Sequence, residues 1–322
     1  MVGVGETMRW SEAMRRALYG SDGFYASQEP GRHFRTSAQS PLFATALAEL
    51  VRRVDVALGG PDEFAVVDVG AGGGELLAGL LAADDLEGRL RPAAVELRPR
   101  PESLDPRIDW RDEPPAGVVG MIVACEWLDN VPCDVVEVDE AGRARYELVD
   151  PASERTVPGE LVDGADADWL RRWWPATTPG TRAEIGRSRD EAWASLTNKL
   201  EQGIALAVDY GHIRQSRPPL GTLAGFARGR QVTPVPDGSC DVTAHVAVDS
   251  LDGGSLCTQR EALRRLGIDG ARPPLELARR DPAGYVRALS HAGEAVELTD
   301  PAGLGGHWWV VSTRGDFPDR IL

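Results

Sequence analysis

The sequence contains no apolar run near the ~18 uninterrupted residues that a membrane-spanning helix needs. Its longest apolar stretches, such as Val118–Cys125, have the length of strands. The first residues carry Glu6 and Arg9 and no apolar h-region, so they do not read as a signal peptide. These absences predict a cytoplasmic protein without a membrane partner. Cysteine is scarce. Cys125, Cys133, Cys240 and Cys257 include no Cys-x-x-Cys pair and no Cys/His pair at zinc spacing, which predicts reduced, buried thiols and no metal. Lysine is nearly missing, with Lys199 the only one, and arginine takes its place as a coding bias would have it. Basic excess is missing too: 35 basic residues stand against 50 acidic ones, a net charge of −15. That field repels a phosphate backbone, so nucleic acid is excluded as a general partner. No internal repeat or low-complexity tail is present.

What is there is a chain of 322 residues, 42% hydrophobic, enough for one large α/β domain with insertions or for two domains. Helical spacing appears in residues 1–20 (Met8, Ala13, Met14, Ala17, Leu18) and again from Leu42 to Val56. The run Ala65–Gly70 enters a glycine cluster and leaves into Glu75-Leu-Leu-Ala-Gly-Leu-Leu, which reads as strand, tight turn, helix. Pro92–Leu97, Arg107–Trp110 and Val118–Cys125 read as the second, third and fourth strands, and Val135–Val149 as a hairpin around Gly142. Residues 150–182 are polar and Pro-rich, with Trp169, Trp173 and Trp174 as the small core of an inserted cap. A helix from about Ser188 to Glu201 with its C-cap at Gly203, a fifth strand at Ile204–Asp209 and a long irregular segment at 212–241 follow. Helical patterns at 259–266 and 282–291 precede a closing hairpin of Ala295–Thr299 and His307–Thr313. Strands alternating with helices predict a doubly wound sheet.

The glycine turn Asp68-Val-Gly70-Ala-Gly72-Gly73-Gly74-Glu75 lets backbone approach a ligand closely while the next helix presents free N–H groups. A dinucleotide fingerprint requires a third glycine where Glu75 stands. Asp68 lies two residues before the first glycine, where a carboxylate repels a pyrophosphate but suits an ammonium and a sulfonium. Glu96 ends the second strand, where a carboxylate accepts both hydroxyls of an adenosine ribose. Turn, Asp68 and Glu96 together resemble the S-adenosylmethionine (SAM) site of class I methyltransferases.

The segment Cys125-Glu-Trp-Leu-Asp-Asn-Val-Pro132 is similar to the N-E-F-x-D-A-x-P signature of the MidA/NDUFAF7 (DUF185) family, SAM-dependent methyltransferases that include mitochondrial complex I assembly factors. Phe34-Arg-Thr-Ser37, Val208-Asp-Tyr-Gly-His212, Gly221-Thr-Leu223 and Asp241-Val-Thr-Ala-His245 match in the same order. Thr258-Gln259 and Leu304-Gly-Gly306 fit its C-terminal pattern, so the match spans residues 23–313 and points to the shorter actinobacterial members. Cys125 replaces the usual Asn, and Thr36-Ser-Ala-Gln39 lacks the Pro-Glu commonly found after Thr-Ser. The resemblance implies a Rossmann-like α/β fold with a doubly wound, mostly parallel seven-stranded sheet and inserted cap and lid segments. Residues 1–60 are then a helical segment over the cofactor site, and 61–134 with 183–322 the SAM-binding core. Within that core 212–258 is a lid or acceptor segment, and 135–182 is the inserted hairpin and cap. It implies that Asp68, Gly70, Gly72, Gly74, Glu96, Thr36 and Ser37 hold SAM. Glu126 and Asp129 then sit where the methyl group meets its acceptor; Asp209, at the mouth of the fifth strand, is a third candidate catalytic carboxylate near the same edge, with capping by Asp129 and backbone binding by Asp209 the structural alternatives.

Resemblance to the mitochondrial members implies a nitrogen acceptor on a protein side chain, arginine foremost. A guanidinium is always charged in water, and flanking carboxylates can hold it, localise its charge on one nitrogen and leave another nucleophilic. Two other functions stay open on the residues alone: a small-molecule O- or N-methyltransferase, and a SAM-binding assembly factor without essential catalysis. His212 and His245 fall within family motifs, with a structural role the simpler reading of each. Oligomeric state is not legible.

Overall fold

The computed structural model describes residues 7–27, 36–83, 86–153, 155–315, 317 and 321–322. The chain divides into two compact units, one of Thr36–Glu126, Leu196–Tyr210 and Gly253–Leu322, the other of Met1–Arg35, Trp127–Ser195 and Gly211–Asp252. Phe34 and Arg35 lie outside the described residues.

The first unit is built on a seven-stranded sheet. Its strands are β1 (Phe64–Val69), β2 (Leu90–Val95), β3 (Asp109–Arg111), β4 (Val118–Cys125), β5 (Leu200–Asp209), β6 (Gly254–Thr258) and β7 (Trp308–Arg314). Their order across the sheet is β6-β7-β5-β4-β1-β2-β3. The sheet is mixed: β3, β2, β1, β4 and β5 run parallel, and β7 joins β5 antiparallel with β6 antiparallel outside it. Parallel strands buried on both faces read as continuous apolar runs, which is why Val118–Cys125 and Ala65–Val69 lack alternation. At the middle of the sheet Gly120 pairs with Ala65 on one side and Gly203 on the other. A Cβ on Gly203 would stand 1.9 Å from the Gly120 carbonyl oxygen. Gly203 is therefore a strand residue admitting a close neighbour, and the expectation that it caps a helix is corrected. The helix spans Arg187–Thr197, and a turn from Lys199 N–H to the Leu196 carbonyl (2.9 Å) ends it before β5 begins at Leu200.

Among the described residues the α-helices of this unit are α1 (Pro41–Ala57), α2 (Glu75–Ala82), α3 (Gln259–Arg265), α4 (Leu275–Arg280) and α5 (Pro282–Thr299). The start of α1 is fixed by Ser40, whose Oγ accepts the Phe43 N–H at 3.1 Å, and by Pro41 in the first turn. Phe43, Leu47, Leu50 and Val54 form its buried stripe. The closing hairpin is also corrected. Residues 295–299 belong to α5, which Asp281 caps through Oδ1 on the Gly284 N–H (2.8 Å) and which buries Ala292, Ala295 and Leu298 along one face.

In the second unit Met8–Arg9, Ala144–Val149, Asp134–Val138 and Arg182–Ile185 form an antiparallel sheet, with Thr156–Leu161 added beside Ala144–Val149. Asp134–Val138 and Ala144–Val149 are joined through a turn at Gly142, whose N–H bonds the Asp139 carbonyl (2.8 Å). Trp10, Met14 and Leu18 of the helix Trp10–Tyr19 pack with Val135, Val149 and Val242. Trp169 and Trp174 lie in a second small core with Tyr146, Ala183 and Ile185. Among the described residues no helix is long and apolar enough to cross a membrane.

Candidate active site

The C-terminal ends of β1, β2, β4 and β5 carry the expected residues of the sheet unit. After β1 the chain turns so that Gly70 and Ala71 both donate to the Val95 carbonyl (2.9 and 3.3 Å), which ties the turn to the end of β2. Gly72, with φ +61°, directs its N–H to Oε2 of Glu96 at 3.0 Å. Among the described residues a Gly72 Cβ would meet nothing closer than Glu75 Oε2 at 3.5 Å, an ordinary contact, so the glycine answers to backbone conformation. At Gly74 the requirement is packing as well. Its φ is +82°, and a Cβ would meet Leu104 at 2.8 Å. Gly74 stands as the N-cap of α2, and Glu75 in the first turn accepts the Gly73 N–H at 2.9 Å.

Three carboxylates surround this turn. Asp68 is buried at the mouth of β1 and its pKa is pushed up to about 7, first by desolvation and then by the negative charges of Glu75 and Glu96. Among the described residues no arginine or lysine is hydrogen-bonded to Asp68. Arg98 Nε lies 3.4 Å from Oε1 of Glu96, so three carboxylates and one guanidinium leave the turn net negative, which suits a ligand that brings positive charge and sugar hydroxyls.

Glu126 directly follows β4. Its N–H donates to the Val208 carbonyl at 2.7 Å, and its φ of +52° is the left-handed conformation that non-glycine residues adopt rarely. Oε1 of Glu126 accepts the Ser37 N–H at 3.1 Å, and Nδ1 of His307 lies 3.9 Å from the same oxygen. The Tyr210 ring packs against His307 with centroids 5.4 Å apart. Cys125 is buried beside Glu126. Burial, followed by the charges of Glu126, Asp68 and Asp209, drives its thiol far above the usual range, so it is no nucleophile. Asp68, Glu126 and Asp209 stand on one edge of the sheet, at the C-terminal ends of the adjacent strands β1, β4 and β5. Thr36 caps the short turn Ser37–Gln39 in a capping box with Gln39.

Asp129 belongs to the other unit, in the turn Leu128–Asn130. There its Oδ2 accepts the Thr243 hydroxyl at 2.6 Å, while its carbonyl accepts Arg189 Nη2 at 2.7 Å. The buried Arg189 also donates to the carbonyls of Val131 (3.2 Å) and His245 (3.0 Å). Asp241, unweighted in the sequence, is pushed up to about 7 by burial and then by Asp129, and it accepts the Asn130 amide at 3.0 Å. His212 is buried against Trp174, with ring centroids 4.5 Å apart, and accepts Arg217 Nη1 on Nδ1 at 2.7 Å. Burial, then the Arg217 charge, pulls its pKa down to about 3, so it is neutral. The contacts of Gln259 and His307 are what sequence reasoning misses: Thr258-Gln259 stands out there only as part of the family's C-terminal pattern, and the Thr258 capping box with Glu261 fixes the start of α3. Among the described residues no group of His, Cys, Asp and Glu has the arrangement of a metal site.

Residues 84–255 match the family Methyltransf_28, described as "Putative S-adenosyl-L-methionine-dependent methyltransferase". No curated protein matches the chain. A COG1565 superfamily protein from Burkholderia thailandensis, crystallised with S-adenosyl-homocysteine, is 26% identical, with a TM-score of 0.78 over 97% of this chain and 90% of that one. A native crystal structure of a COG1565 superfamily protein from the same organism gives 26% identity and a TM-score of 0.75, over 96% of this chain and 88% of that one. The expected doubly wound, mostly parallel sheet is thus met at the level of an α/β fold with methyltransferase neighbours. With the family's match covering more than half its length, the chain belongs to this family of S-adenosyl-L-methionine-dependent methyltransferases.

Proposed function

We propose that the enzyme transfers the methyl group of SAM to a nitrogen of a protein side chain, arginine foremost, with the cofactor seated on the turn after β1. The observation that carries the reading is the grouping of Asp68, Glu75 and Glu96 around a turn of left-handed glycines. SAM brings an ammonium and a sulfonium to carboxylates that now repel one another, and its ribose suits Glu96. Gly70, Gly72 and Gly74 let the backbone approach it, and Thr36 and Ser37 are proposed to border it. The strand order, with β1 central, fits the doubly wound class I arrangement. Bound SAM supplies an electrophilic methyl group.

The chain's own task is then to present a nucleophile in line and to keep its lone pair available. Glu126, fixed by the Ser37 N–H, is assigned the contact to a cationic acceptor, where an anion holds a guanidinium and localises its charge. Asp209, on the same sheet edge, is assigned a second contact of that kind. Asp129, with an oxygen already bonded to the Thr243 hydroxyl, is assigned a lesser role in holding the segment after Glu126.

Incubating the purified enzyme with methyl-labelled SAM and a cell extract divided by size tests this. The expected result is label in the macromolecular fraction, recovered as methylarginine after hydrolysis. Label confined to the small-molecule fraction would assign a metabolite acceptor instead, and SAM binding without any transfer would leave the assembly-factor function.

A further inference from the structure

Gln259, the first residue of α3, is fully buried and reaches in two directions. Its side-chain Nε2 donates to Ser37 Oγ at 3.0 Å and to the Leu298 carbonyl at 3.1 Å, while Oε1 accepts the Trp309 indole N–H at 3.3 Å. Its main-chain N–H donates to the His307 carbonyl at 2.7 Å. Ser37 and His307 both turn a nitrogen toward Oε1 of Glu126, at 3.1 and 3.9 Å. The side-chain amide thus bonds Ser37, and the main-chain N–H of the same residue bonds His307, two residues that face one oxygen of a strained carboxylate. A buried amide costs more to desolvate than an apolar side chain of its size, and it is kept only with its hydrogen bonds satisfied. Here one of the bonds that satisfy it fixes Ser37, and another fixes the Trp309 ring two residues after His307.

We infer that Gln259 is a positioning residue for Glu126, acting through Ser37 and His307 without touching cofactor or acceptor. The inference rests on the proposed reading of Glu126 as the carboxylate at the methyl-transfer point. Its orientation must hold to a fraction of an ångström for an in-line displacement, and a left-handed residue on a strand end does not hold itself. The network supplies that rigidity from three parts of the chain: the turn at Ser37, the start of α3, and the start of β7.

Sinefungin and S-adenosylhomocysteine provide the test, because sinefungin places an ammonium where SAM carries its methyl group. Calorimetry on the whole enzyme is expected to show preference for sinefungin over S-adenosylhomocysteine, and Glu126→Gln is expected to erase about tenfold of it. Gln259→Met is expected to reduce the preference about threefold, with S-adenosylhomocysteine affinity held within about twofold. The same change placed on Glu126→Gln is expected to reduce it no further, the non-additivity of coupled residues. If Gln259→Met keeps the full preference while Glu126→Gln loses it, Gln259 merely packs and this inference falls alone. If Glu126→Gln keeps the preference, Glu126 is not at the methyl position and both readings fall. Should Gln259→Met not fold, Gln259→Asn, which keeps an amide but withdraws it from Ser37 by one methylene, decides by itself: a retained preference overturns the inference.

Discussion

The main-chain N–H of Gly72 donates to Oε2 of Glu96 at 3.0 Å, so the turn after β1 and the end of β2 orient one another. The other oxygen of Glu96 accepts the Arg98 N–H at 3.1 Å. Both atoms are thus aimed before any ligand arrives. Glu96→Gln retains an acceptor for Gly72 and nearly the same volume, yet loses the charge that ribose hydroxyls prefer. Thermal stability is expected to hold, with SAM affinity reduced about tenfold by calorimetry. Gly72→Val forces a β-branched residue into a left-handed conformation, at a cost of about 1–3 kcal/mol, and adds bulk against the Glu75 and Arg98 side chains beside the turn. SAM binding is expected to vanish in that variant, and an unchanged affinity would show that no ligand approaches the turn.

Asp68 links cofactor binding to pH. Its folded pKa of about 7 lies above the ordinary carboxylate value, so the folded state holds a proton that the unfolded chain has released. That proton favours the fold at low pH, and the advantage is lost as pH rises through about 7. Asp68→Asn cannot ionise. Its melting temperature is therefore expected to exceed the parent's by more at about pH 8 than at about pH 5. SAM affinity of the parent is expected to rise across the same interval as Asp68 ionises, while the variant binds weakly at every pH. An equal stability difference at both pH values would place Asp68 at an ordinary pKa.

The turn and its carboxylates are legible in the sequence because the residues are close along the chain. Asp68 to Glu75 is one turn, and Glu96 is the end of the next strand. The network around Glu126 is not legible, since Ser37 and Gln259 stand 222 positions apart and no periodicity records a single buried hydrogen bond across that distance. His307 reads as an ordinary residue entering a strand until the fold brings its ring toward Glu126. The misread ends of elements have local causes. Residues 295–299 alternate over a short window and look like a strand, whereas Ala292, Ala295 and Leu298 continue the helical stripe that Asp281 and Pro282 begin. Gly203 looks like a helix stop because a glycine after a helical pattern usually is one. Its function, admitting Gly120 of the neighbouring strand, depends on pairing that the sequence does not display.

His212 makes the opposite pH prediction from Asp68. Burial and Arg217 hold its folded pKa at about 3, so below its ordinary pKa the unfolded chain takes up a proton that the fold refuses. Its contribution is present at neutral pH and lost progressively as pH falls toward 3. His212→Asn keeps a short acceptor for Arg217 Nη1 but does not titrate. The parent is expected to lose stability relative to this variant between about pH 7 and about pH 4, by up to a few kcal/mol in urea unfolding. A constant difference across that range would mean that the imidazole is protonated inside the fold.

Glu126 tests whether the strained carboxylate exists for chemistry or for stability. Its left-handed backbone costs about 1–2 kcal/mol that glycine does not incur, which offsets part of what the side-chain contacts contribute, the Ser37 bond among them. Glu126→Gly is therefore expected to lose no more than about 1 kcal/mol of stability. Glu126→Gln keeps shape and strain but removes the charge that pairs with a cationic acceptor. Methyl transfer is expected to fall about 10²–10³-fold in both variants, the scale of a lost electrostatic contact to a developing charge, with SAM affinity unchanged in Glu126→Gln. Loss of SAM binding in Glu126→Gln would move the residue into the cofactor pocket, beside Asp68 and Glu96. Unchanged turnover in both variants, together with a stability loss of several kcal/mol in Glu126→Gly, would make Glu126 part of the scaffold and remove it from the reaction.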